Sequence, residues 1–388
     1  TEPILRLDTG FHAAAIQRIA TDAQGRWIAT ASHDKTLRLW DGKTGELLRT
    51  LRPPIGHGDE GKLYAVTMDP KGEWIATGGW TGWDWEEKAS IYILDRASGR
   101  LRQRLHGLEH KIIDLCTSGD GRWLAATLKQ GQGLRIYDVQ QNFSLAFQDK
   151  DYGDESYGCA FSPDNQNLVT TCWDGQLRRY RLVDGVFRKQ GQAEISRGKK
   201  PVGLSFHPTK DLLAVGFYDS NKVVVHHAQD LQKLYRPDPI GIDNGNLTSV
   251  AWSSDGESLL AAGVYDDGEG KAVVSWSKQG RGRRQSWRAV NNTVMDLVAL
   301  PDGGFLAGTG DPALLRYDRL GRILFARLPN TPDMREKLEK AFRLGTEGQI
   351  ITFGLGFGNK EPIWFDLDTR QLHLGEYSGP TTPPRTLA

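Results

Sequence analysis

The sequence holds only three cysteines in 388 residues: Cys116, Cys159 and Cys172. An odd number at wide spacing excludes a disulfide framework and a zinc-ligand pattern. Each sits in an apolar or strand-like run, as a small buried hydrophobe does. No run of 18 apolar residues exists, so no membrane span is expected. Neither sign of charge is in excess, with 49 Lys+Arg against 48 Asp+Glu. That balance speaks against a nucleic-acid partner, which needs clustered positive charge. Catalytic signatures are missing too: no GxSxG elbow, no P-loop, no HExxH and no GxGxxG opening a helix. The nine histidines are scattered. Their one adjacent pair, His226-His227, lies in a strand, where neighbours face opposite ways and do not share a metal. No cofactor and no metal site are therefore expected, and the chain reads as non-enzymatic. It starts at Thr1. That suits either loss of a signal peptide or a start inside a longer protein, so the compartment stays open between cytoplasm and export.

Glycine, by contrast, is abundant, at about 12% of residues against a usual figure of about 7%. The excess follows a repeat. A turn signal leading into an apolar strand recurs along the chain, as DAQGRW to Trp27, DPKGEW to Trp74 and SGDGRW to Trp123. It continues to Leu168, Leu212, Leu259, Phe305 and Ile350, at a mean step of about 46 residues. Within the first unit, AIQRIATD, RWIATAS, TLRLWD and ELLRTL read as four short strands joined by tight turns. Glycines fall at those turns, where positive φ is often needed. One such unit cannot bury both faces of its sheet. Units packed radially can, which is the arrangement of a β-propeller.

The stretch SHDKTLRLWD, Ser32 to Asp41, resembles the WD40 repeat family. The resemblance implies an all-β propeller of four-stranded blades, and eight units give eight blades. Seven blades with an appended unit is the alternative. The expected domain is 1–376, with units near 11–52, 62–106, 110–149, 156–190, 200–236, 246–289, 292–328 and 338–376. A strand at 3–8 would close the ring, and 377–388, rich in Pro and Thr, would be a linker-like tail. A short helix is expected over Pro332 to Phe342. The resemblance also implies a hydrogen-bonded tetrad of His12, Ser32, Asp34 and Trp40. The fourth unit keeps Asp174 but lacks the matching His and Trp. Stretches such as RPPIGHGDEGKLYAV and RPDPIGIDNGNLTSVAWS further resemble the WD40 portion of bacterial proteins that also carry a caspase-like peptidase domain.

That likeness implies a recognition or sensing scaffold within a larger bacterial protein. Its partner would be a protein or peptide, a peptidase domain of the same polypeptide included. The loops that follow the fourth strand supply the candidate surface. They read GHGDEGKLY, DYGDESYG, DNGNLTS and NNTVMD. From them, Glu60, Lys62, Tyr64, Asp154, Glu155, Tyr157, Asn244, Asn246 and Asn292 form a polar ring at the channel mouth. A long loop in the second unit adds Trp80, Trp83 and Trp85, rigid side chains suited to a partner's pocket. The competing reading is an enzyme or a small-ligand or metal binder using the same ring.

Overall fold

The structure is a computed structural model that describes residues 10–195, 200–328, 342–344, 350–353, 363–368 and 371–374. The chain divides into two compact units, Thr1–Leu328 and Pro329–Ala388. The first unit is an all-β, seven-bladed propeller.

Blade one shows how the sequence makes each sheet. Its strands are β1 (Ile16–Thr21), β2 (Trp27–Ser32), β3 (Leu37–Asp41) and β4 (Leu47–Leu51), paired in that order and antiparallel. Between β1 and β2 the carboxylate of Asp22 accepts from the N–H groups of Arg26 and Trp27, at 2.7 and 3.2 Å. Asp69 does the same for Lys71 and Glu73 in blade two. In blades three and six a serine hydroxyl donates to the turn aspartate instead, Ser118 to Asp120 and Ser253 to Asp255. The recurrent Asp or Ser-x-Asp of the turn signal is thus a local tie that closes the hairpin. The Asp that ends the third strand ties the next turn. Asp41 Oδ1 accepts from Lys43 N and Thr44 N, and Asp95 Oδ1 from Ser98 N.

The same four-stranded order recurs with inner strands Leu63–Met68, Ile112–Thr117, Ser156–Phe161, Pro201–Phe206, Ser249–Trp252 and Val294–Ala299. Outer strands are the exposed ones; Ser144–Asp149 of blade three leaves Leu145 51% exposed. Cores lie between blades. Ala29, Leu37 and Leu39 of blade one join Leu63, Val66 and Ile75 of blade two in one buried cluster. Blades two and three, three and four, and later pairs repeat this.

The expectation of eight blades is corrected here. The ring closes between blade seven and blade one. Ile16, Ile19, Ile28 and Trp40 share a buried cluster with Leu300, Leu306, Leu314 and Phe325. Ile19 N donates to Asp296 Oδ2 at 2.8 Å, and Arg327 reaches the carbonyls of Gly45 and Thr44. The eighth repeat does form a four-stranded antiparallel sheet, Phe342–Leu344, Ile350–Phe353, Ile363–Asp366 and Gln371–Leu374, but in the second unit. A repeat period reports sheets. It does not report which of them face each other. The strand expected at 3–8 and the tail at 377–388 lie outside the described residues. So does the helix expected at 332–342, apart from Phe342, which begins a strand.

Candidate functional site

The described part of the molecule has a concave site where the seven inner strands meet. Its upper part is a cavity of about 230 Å³ to which every blade contributes. A backbone irregularity builds it. In six blades the inner strand's pairing slips at or next to its second residue, leaving Gln17, Tyr64, Ile113, Tyr157, Val202 and Met295 outside the ladder. Such bulges re-aim side chains, and these six, with Thr248 of blade six, line the mouth. Lys111, Tyr218, Asn246, Val264 and Thr293 complete the rim, and Arg18 lies at its base.

One layer deeper is a second cavity of about 190 Å³, again lined by all seven blades. Here blades are stitched by carboxylates. Asp114 Oδ2 accepts from Cys159 N of blade four, as Asp296 accepts from Ile19 N of blade one. Between blades six and seven, Ser249 Oγ accepts from Leu297 N at 2.9 Å. Arg18 Nε donates to Asp114 Oδ1 at 3.2 Å. Burial pushes the carboxyls of Asp114 and Asp296 up, Asp296 to about 6, against the pull of Arg18. Cys159 is buried in this layer, its thiol pushed well above the usual range by burial.

Around the mouth runs an arc of aromatic and cationic side chains. Lys111 Nζ sits 4.2 Å above the Tyr64 ring and 5.6 Å from that of Trp80. His33 tilts against Tyr64 at 4.5 Å. Further round, Tyr157 stacks on Trp173 at 4.3 Å, and Trp173 meets Tyr218 at 5.3 Å. Lys200 Nζ covers the Trp173 ring at 4.1 Å.

The sequence-derived site residues divide accordingly. Tyr64, Tyr157 and Asn246 line the mouth. Asn246 is held there by donating Nδ2–H to Tyr218 O and accepting from Val264 N. Trp80 and Trp83 lie 5.2 Å apart, both against His110 of the next blade, and both stay half-buried. The Trp85 side chain lies outside what is described. Glu60 is not a surface group. It is 1% exposed and accepts from Gly82 N and Trp83 N, so it anchors the tryptophan loop from beneath. Lys62 pairs with Asp59 and Glu155 with Lys129. Asp154 is exposed and accepts from its neighbour Glu155 N. Asn244 bonds Asp243 and Asp266 beside a separate cleft, and Asn292 accepts from Thr293 N; neither lines the mouth. Sequence reasoning missed Lys111, Trp173, Lys200 and Tyr218. They sit just before the inner strands or just after the second strands, positions that only the ring brings together. Among the described residues no group of three or more His, Cys, Asp or Glu could hold a metal ion.

The expected tetrad is present with one change. Trp40 Nε1–H donates to Thr30 Oγ1 at 2.8 Å, and Thr30 Oγ1 lies 2.7 Å from His12 Nε2. His12 Nδ1 lies 2.9 Å from Asp34 Oδ2. Assigning the proton to Nδ1 lets all three bonds run one way, from indole to hydroxyl to imidazole to carboxylate. Burial lowers the His12 pKa, which fits a neutral ring. Asp34 would be raised by burial, but its His12 bond brings it down to about 2.

The hydroxyl member is Thr30, not Ser32. Trp40 pairs with Ile28, so its indole reaches the diagonal neighbour two residues on and not the one four residues on. Ser32 Oγ donates instead to Ala14 O at 2.7 Å. Thr30→Val keeps the shape and strands two buried polar atoms. It should cost about 2–4 kcal/mol in denaturant unfolding, against about 1 kcal/mol for Ser32→Ala. Equal losses would reject this assignment.

Blade four rebuilds the network with tyrosines. Tyr152 OH bonds Thr170 Oγ1 at 2.7 Å and Tyr180 OH at 2.9 Å. Asp174 accepts from Gly153 N and from Arg178, whose guanidinium lies 4.1 Å above the Tyr152 ring. Tyr152, Thr170, Asp174 and Tyr180 thus have the spacing of His12, Thr30, Asp34 and Trp40.

Comparison with known proteins agrees with this geometry. The family described as "WD domain, G-beta repeat" matches residues 6–41, 45–84 and 153–181, which include parts of both networks. The chain is 23% identical over 190 residues to "Periodic tryptophan protein 2" of Arabidopsis thaliana, covering 48% of this chain and 20% of that protein. It is 29% identical over 180 residues to "Protein LST8 homolog" of Drosophila melanogaster, covering 44% and 52%. To "Ribosome biogenesis protein WDR12 homolog" of Drosophila mojavensis it is 24% identical over 269 residues, covering 64% and 60%. It therefore spans between a fifth and three-fifths of the length of these relatives. Repeats, ring and tetrad together make the first unit a β-propeller, within which the matched segments are WD40 repeats.

Proposed function

We propose that this propeller is a non-enzymatic docking scaffold whose channel-mouth face binds a protein or peptide partner. The observation that carries this reading is the arc of Tyr64, Trp80, Trp83, Tyr157, Trp173 and Tyr218 around one opening. Large rigid side chains at the centre of a face, surrounded by polar groups, are what protein recognition uses. WD40 repeat proteins generally serve as interaction scaffolds, which supports the same reading. The chain's place in a larger bacterial protein beside a caspase-like peptidase domain rests on the sequence resemblance alone.

The test is capture of a binding protein by the immobilised chain, followed by identification and a titration. Trp80→Ala with Trp83→Ala should weaken that binding by at least about tenfold, since central aromatic anchors are worth about 2 kcal/mol or more each. Leu145→Ala, on an outer strand, should leave it unchanged. The reverse pattern would remove the mouth face from the account.

A further inference from the structure

We infer that the channel mouth receives an acidic side chain, Glu or Asp, from a peptide segment of the partner protein. This rests on the mouth being the docking face and adds what that face selects. The argument is one of charge complementarity. Thirteen residues line the mouth, and none is a carboxylate. Two of them are cationic, Lys111 and Arg18.

Arg18, at the base, is already bonded to Asp114. Lys111 is not so matched. Among the described residues its ammonium makes no ion pair; its contacts are the faces of Tyr64 and Trp80. Burial lowers its pKa, so an arriving anion would restore a favourable partner for the charged form. Each nearby acid has another partner, and Glu155 keeps its second oxygen, Oε2, buried without one. Asp59 holds Lys62 at 2.5 Å, Glu155 holds Lys129 at 2.8 Å, and Glu60 holds two N–H groups of the tryptophan loop.

Across the mouth a second ammonium, Lys200, lies on Trp173. The indole Nε1–H of Trp173 is buried without an acceptor. The mouth thus offers positive charge and mainly aromatic and aliphatic walls. An acidic side chain flanked by apolar residues satisfies both. A basic side chain would instead meet Lys111 and Lys200 across a lining that itself holds no carboxylate, a costly juxtaposition.

Fluorescence anisotropy with labelled short peptides tests this on the whole chain. Each peptide carries one central residue, varied between Glu, Gln, Lys and phosphoserine, between flanking leucines. The Glu peptide should bind at least about tenfold more tightly than the Gln and Lys peptides. Lys111→Gln should erase that preference while leaving the melting temperature unchanged. Binding that ignores the central residue, or a Glu preference that survives Lys111→Gln, would overturn the inference. So would binding of phosphoserine alone, which would make the site a phosphate reader. No binding of the Glu peptide up to about 1 mM would also overturn it. The effect of the tryptophan variants on the captured partner stands apart from all of these outcomes. If that effect is seen and the charge preference is not, the docking face survives and its proposed selectivity does not.

Discussion

Gly203→Ala is expected to destabilise the propeller by about 2–3 kcal/mol, or to prevent its folding. Gly203 lies on the inner strand of blade five, where its N–H donates to Thr248 O of blade six at 3.0 Å. A Cβ there would stand 2.4 Å from that carbonyl oxygen and 3.1 Å from Ser249 Cα. Both are backbone atoms of the neighbouring blade, so no side chain can swing aside. The blades would have to part, and overpacking of this kind costs about 1–3 kcal/mol. Gly191→Ala is the comparison. Its Cβ would meet only ordinary contacts, the nearest at 3.6 Å, on an outer strand. Denaturant midpoints should separate the two substitutions clearly. Similar midpoints would mean that the inner strands are not as tightly joined as described.

Asp296→Asn should stabilise the protein near pH 7 and much less near pH 4. The folded carboxyl titrates at about 6, against 3.8 for the free group, because it is buried. Between those values the native state holds a proton that the unfolded state has lost. Wild-type stability therefore falls as pH rises through that window, and the contribution is flat above it. The whole effect is no more than about 3 kcal/mol. Asparagine cannot ionise, yet its amide oxygen can still accept from Ile19 N. The stability difference, variant minus wild type, should grow from about pH 4 to about pH 6 and then level off. A difference that is constant with pH would contradict the placement of Asp296 in the lower channel layer. Asp296→Ala should behave otherwise, weakening the ring at every pH by stranding Ile19 N–H at the closure.

Much of the fold could be read from local chemistry. The turn aspartates, the glycines and the alternation of strands such as AIQRIATD act within a few residues, so they show in any repeat. Ring closure does not. The eighth repeat carries the same grammar as the other seven, and only the packing of Ile16 and Ile19 against Leu300 and Leu306 settles the count. Two site residues, Tyr64 and Tyr157, were legible because each stands at the end of a polar loop. Their real role depends on a bulge, which takes them out of the pairing that strict alternation would give them. Glu60 misled because a polar residue in a glycine-rich loop reads as exposed, whereas its carboxylate is buried under the tryptophan loop. Lys111 carries no motif at all. Its meaning comes from a mouth lining that holds no carboxylate, which is a property of seven blades together.

The docking reading is tested most directly by a photoreactive side chain placed at one of two positions. Position 293 lines the mouth; position 145 lies on the exposed outer strand of blade three. Irradiation with the bound partner should yield a covalent adduct from position 293 and none from position 145. An adduct from position 145 alone would contradict the account, since the partner would then sit on the rim of a blade and leave the mouth empty.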